Sequence, residues 1–350
     1  MRGLIVGLGS IGRRHARNWA GLGLGPLAVC RQVGKPQPEL AGLGVEAREY
    51  ASLAQALETE QPDIVLVTNP TSLHLETACQ ALRAGAHALV EKPLSHSLAG
   101  VAELLQTAKV AKRQLMVGYN LRFHPGLQRL KTLTDDHVIG NIVSARADYG
   151  EYLPDWHPWE DYRDSYSGRR DLGGGPVLTL SHPLHALCWL LGAPRRVTAL
   201  AAHASALEID TEDVADIALE FNTGQTATVH VDYLSRPPRR SIELIGEDGV
   251  LCWDYDQNRL LQYVPTTRQW RIEEGDPRFE RNDTYVAELR HFVDCVRGEV
   301  ERPLVDGPQG AAVLAIALAA LRAASDGRTV DLWDADACTR TWLTSLDPPA

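Results

Sequence analysis

Short apolar runs alternate with amphipathic stretches along the first third of the chain. The apolar runs at 4–6, 27–29, 64–67 and 88–90 are strand-like, whereas 13–22, 53–57 and 75–83 carry apolar residues at helical spacing. Strands that are apolar throughout are typical of a sheet covered on both faces, and their alternation with helices is typical of parallel pairing. The pattern therefore predicts a doubly wound α/β domain.

The alternation continues beyond residue 95. Apolar residues recur at helical spacing from Val101 to Ala108, so we expect a helix over 97–112 with the Ser97 hydroxyl as its N-cap. Residues 114–117 form the next predicted strand.

The pattern changes after about residue 120, where apolar and polar residues alternate with a period of two. This alternation occurs at 214–221, 226–233, 241–245 and 250–253, and it is typical of antiparallel strands with one covered face. Helical patterns at 177–191, 285–297 and 308–324 can supply that cover. We expect an α+β domain with a largely antiparallel open sheet over 121–350, after a first domain over 1–120.

Composition narrows the functional class. The chain has 350 residues, and its 35 basic against 45 acidic residues give a formal net charge of -10, which is unlike the basic surface of a nucleic-acid-binding protein. The six cysteines are scattered without a CxxC pair, which is typical of a reduced cytoplasmic protein. No secretory leader precedes the first strand, and the apolar run at 311–321 is short and alanine-rich. We interpret it as a core helix and expect no membrane or nucleic-acid partner.

A glycine motif follows the first strand and opens the first helix. Its sequence is Gly7-Leu8-Gly9-Ser10-Ile11-Gly12. In such a motif the first glycine permits the tight turn, the second leaves room for a pyrophosphate and the third lets the helix approach the strand. The helix N-terminus attracts the anion. Strand, turn and helix together predict a Rossmann dinucleotide-binding domain.

The residue at the end of the second strand bears on the choice of cofactor. An NAD site usually places Asp or Glu there to accept a hydrogen bond from the ribose 2′-hydroxyl, but this chain has Arg31. An arginine pairs with a 2′-phosphate, so we lean toward NADP over NAD. The alternative is an ordinary surface arginine.

Several motifs beyond the glycine turn resemble those of the Gfo/Idh/MocA family of sugar and cyclitol oxidoreductases. These motifs cover most of the chain. They are Glu91-Lys92-Pro93, Thr68-Asn69-Pro70 with His74, the run from Gly118 to Pro125, and Gly173-Gly174-Gly175 followed by Ser181-His182 and Trp189-Leu190-Leu191-Gly192. The runs from Gly9 to His15 and from Asp155 to Arg163 resemble a branch associated with biosynthesis of bacterial surface sugars.

The resemblance implies a set of site residues. Besides Gly7, Gly9, Ser10, Ile11, Gly12 and Arg31, the cofactor-binding residues would be Asn69, Pro70, His74, Glu91, Lys92 and Asn120, while Arg122, Thr179 and His185 would face the substrate. It also implies a homo-oligomer, a homodimer or a homotetramer, in which the open sheet face is buried.

The implied catalytic pair is Lys92 and His182. An ammonium group can polarise a carbonyl oxygen, and an imidazole titrates near neutral pH, so both suit proton transfer to or from a substrate hydroxyl. The family pattern places aspartates three residues before and three residues after this histidine, where the present chain has Thr179 and His185. Lys92 would then carry more of the proton transfer. Two histidines alone lack the further ligands of a metal site, so we expect no metal.

Aromatic and basic residues are concentrated at 149–170, including Trp159, Tyr162 and Arg163. Aromatic faces stack on sugar rings and arginines grip carboxylates or phosphates, which favours an anionic sugar or nucleotide sugar as substrate. A packed loop or a subunit contact explains the same residues equally well.

The sequence thus predicts an NAD(P)-dependent enzyme that interconverts a hydroxyl and a keto group on a sugar, nucleotide sugar or cyclitol. Two alternatives remain. One is a hydrolase or eliminase that oxidises its substrate transiently and recycles the cofactor, and the other is a non-catalytic cofactor-binding regulator.

Overall fold

The computed structural model describes residues 1–31, 45–158 and 160–346, and these form two compact units. The first unit comprises Met1–Asn120 and Arg281–Gly310, and the second comprises Leu121–Glu280 and Ala311–Ala350. The assignment of all residues from 121 to 350 to one domain is therefore wrong for 281–310. The reason is that the helix beginning at Arg281 packs on the first helix of the chain.

A six-stranded parallel sheet forms the centre of the first unit, in the order β3-β2-β1-β4-β5-β6. Its strands are β1 (Gly3–Val6), β2 (Leu27–Cys30), β3 (Arg48–Tyr50), β4 (Ile64–Val67), β5 (His87–Glu91) and β6 (Leu115–Gly118). Almost every residue of β1, β2, β4, β5 and β6 is buried. This confirms the predicted doubly wound sheet.

Helices connect and cover these strands. They are α1 (Ser10–Gly21), α2 (Leu53–Glu60), α3 (His74–Arg83) and α4 (Val101–Ala111), and α8 (Arg281–Arg297) joins them from much later in the chain. The prediction of Ser97 as the N-cap of α4 is wrong. The cap is Gly100, whose φ of 85° is the left-handed conformation that glycine adopts readily.

The second unit contains a nine-stranded sheet in the order β14-β13-β12-β11-β7-β10-β9-β8-β15. All neighbouring pairs are antiparallel except β7 with β10, which confirms the largely antiparallel prediction. The strands are β7 (Ile142–Gly150), β8 (Pro194–Ala202), β9 (Val214–Phe221), β10 (Thr226–Asp232), β11 (Arg239–Gly246), β12 (Gly249–Asp254), β13 (Arg259–Val264), β14 (Gln269–Glu274) and β15 (Val330–Asp331).

Helices of the second unit pack on this sheet, with α5 against β12 and α7 against β7. They are α5 (Pro125–Asp135), α6 (Pro176–Thr179), α7 (His182–Leu191), α9 (Gly307–Asp326), whose first turn belongs to the first unit, and α10 (Ala337–Thr344). The predicted single helix over 177–191 is divided into α6 and α7. Pro183 lacks the amide hydrogen that a continuous helix would donate to the carbonyl of Thr179.

Helix α9 contains the apolar run noted in the sequence. Among the described residues it alone is long and apolar enough to cross a membrane, but 67% of its most apolar window is buried inside the protein. Its side chains from Ala311 to Ala317 are buried almost completely. The prediction of a core helix is confirmed.

Candidate active site

The glycine turn after β1 has the shape that a dinucleotide requires. Gly7 has a φ of 96°, and a Cβ atom on it would lie 2.6 Å from the Asn69 backbone nitrogen. A Cβ on Gly12 would lie 2.1 Å from the Gly7 carbonyl oxygen, whereas a Cβ on Gly9 would meet no atom within 4 Å. Gly7 and Gly12 are thus required by the fold, and Gly9 opens onto free space at the N-terminus of α1.

The loop after β4 is tied to this turn. The Thr68 hydroxyl lies 2.7 Å from the Gly7 carbonyl oxygen and 3.1 Å from that of Val6, so it donates to the backbone of the glycine turn. The Asn69 side chain donates to the Thr77 hydroxyl at 2.8 Å. Pro70 precedes a short 3-10 turn at Thr71–Leu73 and directs the chain into α3.

His74 supports this loop from inside the protein. Its Nε2 lies 2.9 Å from the Asn69 carbonyl oxygen and its Nδ1 lies 2.9 Å from the Pro93 carbonyl oxygen. Burial lowers the pKa of His74, so the ring is neutral and one nitrogen donates at a time. Both nitrogens face protein carbonyls, and contact of His74 with the cofactor stays a prediction. His74 joins the Asn69 loop to the segment after Lys92.

Glu91 ends β5 with its carboxylate turned inward. Its Oε1 lies 2.8 Å from Nε2 of the fully buried His15, and its Oε2 accepts a hydrogen bond from the Lys92 amide at 3.3 Å. Gly118 lies beside it, since a Cβ there would be 3.2 Å from Oε2 of Glu91. Glu91 therefore fixes the backbone of Lys92, which is half-buried.

Arg31 is paired with an acidic residue on the neighbouring strand. Its Nε donates to Oε2 of Glu49 on β3 at 2.7 Å, and its terminal nitrogen lies 2.5 Å from the same oxygen. The side chains of Arg31 and Glu49 are 23% and 39% exposed. The guanidinium group that favoured NADP is thus already partly neutralised.

Sequence reasoning missed the contribution of α8 to the first unit. Thr284 accepts a hydrogen bond from the buried Asn120 side chain at 2.7 Å, and the Tyr285 ring lies edge-on to His15 with 6.2 Å between centroids. Glu288 is fully buried near Glu91. Nothing in the sequence signalled these partners, because α8 lies far along the chain from α1 and β5.

His182 opens α7 in the second unit and is 6% exposed. Its ring lies 6.0 Å from that of Tyr149 on β7, and both line a small cavity together with Pro183 and Trp253. Lys92 belongs to the first unit and His182 to the second. Their joint action stays a prediction.

The Thr179 side chain is buried inside the second unit. Its hydroxyl lies 2.8 Å from the Gly175 carbonyl oxygen and 2.5 Å from the Tyr233 hydroxyl, which in turn lies 3.0 Å from the Ser167 carbonyl oxygen, and either hydroxyl can donate to the other. Burial raises the pKa of Tyr233 well above its usual value, so this network carries no charge. Thr179 is 1% exposed, and its contact with substrate stays a prediction.

His185 and Arg122 also differ from exposed substrate ligands. Burial, and then the charge of Arg122, lower the pKa of His185 to about 3, so this imidazole is neutral at physiological pH. The Arg122 guanidinium carbon lies 3.5 Å from the centre of the Trp189 ring. Their contact with substrate stays a prediction.

The aromatic and basic segment is largely self-paired. Arg163 donates to Asp161 at 2.9 Å and to Glu208 at 2.6 Å, and the Tyr162 hydroxyl accepts a hydrogen bond from the Glu208 amide at 3.2 Å. These contacts favour the packed-loop interpretation for both residues, because the positive charge of Arg163 is already balanced. Trp159 lies outside the described residues.

These features fit a nicotinamide dinucleotide. The free space above Gly9 admits a pyrophosphate, and α1 has no acidic residue in its first turn to repel it. Ser10 and Ile11 start that turn with backbone amides that can face the anion. The loops that carry Asn69 and Lys92 follow β4 and β5 at the carboxyl edge of the sheet, where open α/β sheets bind ligands.

Curated relatives match nearly the whole chain. D-apiose dehydrogenase of Paraburkholderia graminis is 26% identical over 352 residues, covering 95% of this chain and 89% of its own length. UDP-N-acetylglucosamine 3-dehydrogenase of Acidithiobacillus ferrooxidans is 27% identical over 327 residues, covering 91% and 95%. The solved WlbA dehydrogenase of Chromobacterium violaceum, in complex with NADH and UDP-GlcNAcA, has a TM-score of 0.81 and 26% identity over 95% of this chain and 96% of its own.

Two family profiles match the chain. Residues 1–119 match the oxidoreductase family with the NAD-binding Rossmann fold, and residues 127–252 match the GFO/IDH/MocA C-terminal domain. Together they cover most of the chain and both of its units. The chain therefore belongs to the Gfo/Idh/MocA family of NAD(P)-dependent oxidoreductases.

Proposed function

We propose that this enzyme transfers a hydride between a nicotinamide cofactor and a ring carbon of a sugar, nucleotide sugar or cyclitol. The observation that carries the proposal is the glycine turn, where Gly9 alone of the three motif glycines opens onto free space at the start of α1. The named relatives act on sugars or nucleotide sugars, which supports that substrate class.

The chemistry divides between the cofactor and the protein. The nicotinamide, when bound, accepts or supplies the hydride, so the protein has to manage one proton on the substrate oxygen. In the direction of oxidation, Lys92 or His182 would accept the hydroxyl proton of the substrate as its carbon gives up the hydride. In the direction of reduction, the same residues return a proton to the carbonyl oxygen.

Each residue has a distinct part in this scheme. Lys92 follows Glu91, whose carboxylate accepts from the Lys92 amide, so its backbone is fixed at the end of β5. As an ammonium group it polarises the carbonyl oxygen and donates the proton in the direction of reduction, and as a neutral amine it accepts the hydroxyl proton in the direction of oxidation. His182 begins α7 beside a cavity and serves as the second acid or base.

The oligomeric part of the proposal rests on the large sheet. Strand β14 is exposed along its whole length, and Trp270 and Ile272 on it are 48% and 52% exposed. An edge strand with exposed apolar side chains is a site for pairing with another chain. We propose a homodimer or a homotetramer, which light scattering coupled to size-exclusion chromatography distinguishes from a monomer.

The proposed cytoplasmic location agrees with the thiols. None of the six cysteines, all of which lie in the described part of the chain, forms a disulfide, and Cys30, Cys79, Cys188 and Cys295 are buried. A reducing compartment keeps such thiols without disulfides.

The test is a titration of the apoprotein with NADH and NADPH, followed by turnover of a panel of sugars, nucleotide sugars and cyclitols. An oxidoreductase changes the absorbance of the reduced nicotinamide in proportion to product. A cofactor-recycling hydrolase or eliminase forms product without net change, and a regulator binds the cofactor without turnover. The proposal fails if no polyol or keto sugar changes the nicotinamide absorbance.

A further inference from the structure

A buried cluster in the first unit brings together one imidazole and two carboxyl groups from three different elements. One nitrogen of His15 on α1, one oxygen of Glu91 on β5 and one oxygen of Glu288 on α8 all lie within 4.8 Å of one another. His15 and Glu288 are completely buried, and Glu91 is 7% exposed.

The two carboxyl groups differ in their contacts. Glu91 has a partner for each oxygen, since Oε1 contacts Nε2 of His15 and Oε2 accepts from the Lys92 amide. Neither oxygen of Glu288 has a hydrogen-bond partner within the part of the chain that the structure describes. A fully buried carboxylate in that position would carry an uncompensated charge beside the charge of Glu91.

Charge balance indicates how the cluster is stabilised. Two ionised carboxyl groups at this distance repel each other strongly when water is excluded, and protonation of one of them removes the repulsion. Burial, and then the negative charge of Glu91, raise the pKa of Glu288 well above its usual value. Tyr285 on α8 borders the cluster edge-on to His15, and the charged or titratable groups around it are Glu91 and Glu288 of the cluster together with Arg14 on α1 and Arg281 on α8.

We propose that Glu288 is a positioning residue, which packs a neutral carboxyl group against Glu91 and so preserves the contact of Glu91 with His15 and the backbone position of Lys92. The inference rests on the proposed function, because Lys92 is the residue that meets the substrate in that scheme. Glu288 acts through Glu91 and touches no reacting atom.

Two substitutions of Glu288 test whether its carboxyl group acts in the neutral or in the ionised form. Glu288→Gln keeps the shape and the polar end but cannot ionise, whereas Glu288→Met keeps the approximate volume without a polar end. We expect Glu288→Gln to bind NADH and turn over substrate within about twofold of the wild type, and Glu288→Met to lose about tenfold in kcat. Asp283→Asn changes an exposed acid to its amide on the same helix and serves as the matched control.

Infrared spectroscopy provides a readout that does not depend on turnover. The difference spectrum between wild type and Glu288→Gln should contain the carbonyl stretch of a protonated carboxylic acid at neutral pH, and the Asp283→Asn spectrum should lack it. In the wild type this band should disappear on raising the pH, together with a fall in kcat that Glu288→Gln does not show. If no substrate is turned over, the proposed function fails while the infrared band still tests the state of Glu288.

Two results would overturn the inference. Absence of the protonated-acid band would show that Glu288 is ionised, and equal losses of kcat in Glu288→Gln and Glu288→Met would show that a neutral polar end does not preserve the position of Lys92. One equivalent of a divalent metal in the purified wild type, absent from Glu288→Gln, would assign the cluster as a metal site instead.

Discussion

The contact between Arg31 and Glu49 makes a direct prediction about cofactor preference. A 2′-phosphate that binds Arg31 has to compete with the Glu49 carboxylate, whose Oε2 lies 2.7 Å from Nε of Arg31. Glu49→Gln removes the competing charge and leaves the shape of the side chain. We expect tighter binding of NADPH and little change for NADH, whose ribose carries no phosphate there.

The size of the effect follows from the exposure of the pair. An ion pair as exposed as this one, with side chains 23% and 39% accessible, contributes about 0.2–1 kcal/mol. Relief of the repulsion between the carboxylate and a phosphate a few ångströms away in a largely aqueous setting adds about 1 kcal/mol. A total of about 1–2 kcal/mol corresponds to roughly a 5- to 30-fold gain in affinity for NADPH.

The assay is a fluorescence or calorimetric titration of wild type and variant with both cofactors. Glu46→Gln provides the control, because Glu46 is an exposed acid three residues earlier on the same segment. The gain should shrink at high salt, since exposed charges are screened. The reasoning is refuted if the ratio of the NADH and NADPH dissociation constants is unchanged, or if NADH binding weakens tenfold, which would make Glu49 itself the ribose ligand.

Three further predictions follow from burial and packing. Gly9→Val should weaken cofactor binding more than tenfold, because the added side chain fills the space for the pyrophosphate, and it should change Tm little, because its Cβ meets no protein atom. Gly12→Ala should instead lower Tm, because its Cβ clashes with the Gly7 carbonyl oxygen. Thr179→Val should cost about 1–3 kcal/mol in urea unfolding, and a cycle with Tyr233→Phe should show coupling, since the two hydroxyls share a hydrogen bond. Because folding raises the pKa of Glu288, the free energy of unfolding of the wild type should fall as the pH rises above the usual pKa range of glutamate. Thermal melts from pH 5 to 9 should show this fall in the wild type and not in Glu288→Gln.

Local patterns predicted the nucleotide-binding half of the molecule well. The strand, glycine turn and helix from Gly3 to Gly21 are adjacent in sequence, so their apolar spacing and glycine positions contain the information that places them. Strand β9 was predicted at its observed bounds, Val214–Phe221, because alternate residues are buried. Errors at the start of α4 and at the break before α7 came from single residues, Gly100 and Pro183, that override helical periodicity.

Long-range partners could not be predicted in this way. The helical pattern of α8 was visible, but its apolar face does not show that it packs on α1, since many faces in the chain have the same composition. The charge on Arg31 was visible too, while its partner Glu49 follows 18 residues later on a strand that the apolar pattern did not reveal. Sequence reasoning identified the chemical groups, and tertiary pairing decided which of them are available.

The replacement of an acid by Thr179 leads to a ranking of the catalytic residues. Thr179 cannot carry a negative charge, and its hydroxyl is bound to Gly175 and Tyr233. His185, one turn after His182, is a neutral imidazole at physiological pH, so it supplies no negative charge in place of the acid. Neither neighbour supplies a negative charge that would favour the protonated form of His182, so we expect Lys92 to handle most of the proton transfer.

The ranking is tested by comparing Lys92→Met with His182→Asn. Loss of the principal general acid or base lowers kcat by about 10²–10⁴-fold, and we expect this for Lys92→Met, with a smaller loss for His182→Asn and unchanged NADH affinity in the latter. Thr198→Val, on the exposed side of β8, controls for nonspecific effects of substitution. A larger loss of kcat in His182→Asn than in Lys92→Met would show that His182 is charged by a group other than Thr179 and His185, and that the proton passes chiefly through the imidazole.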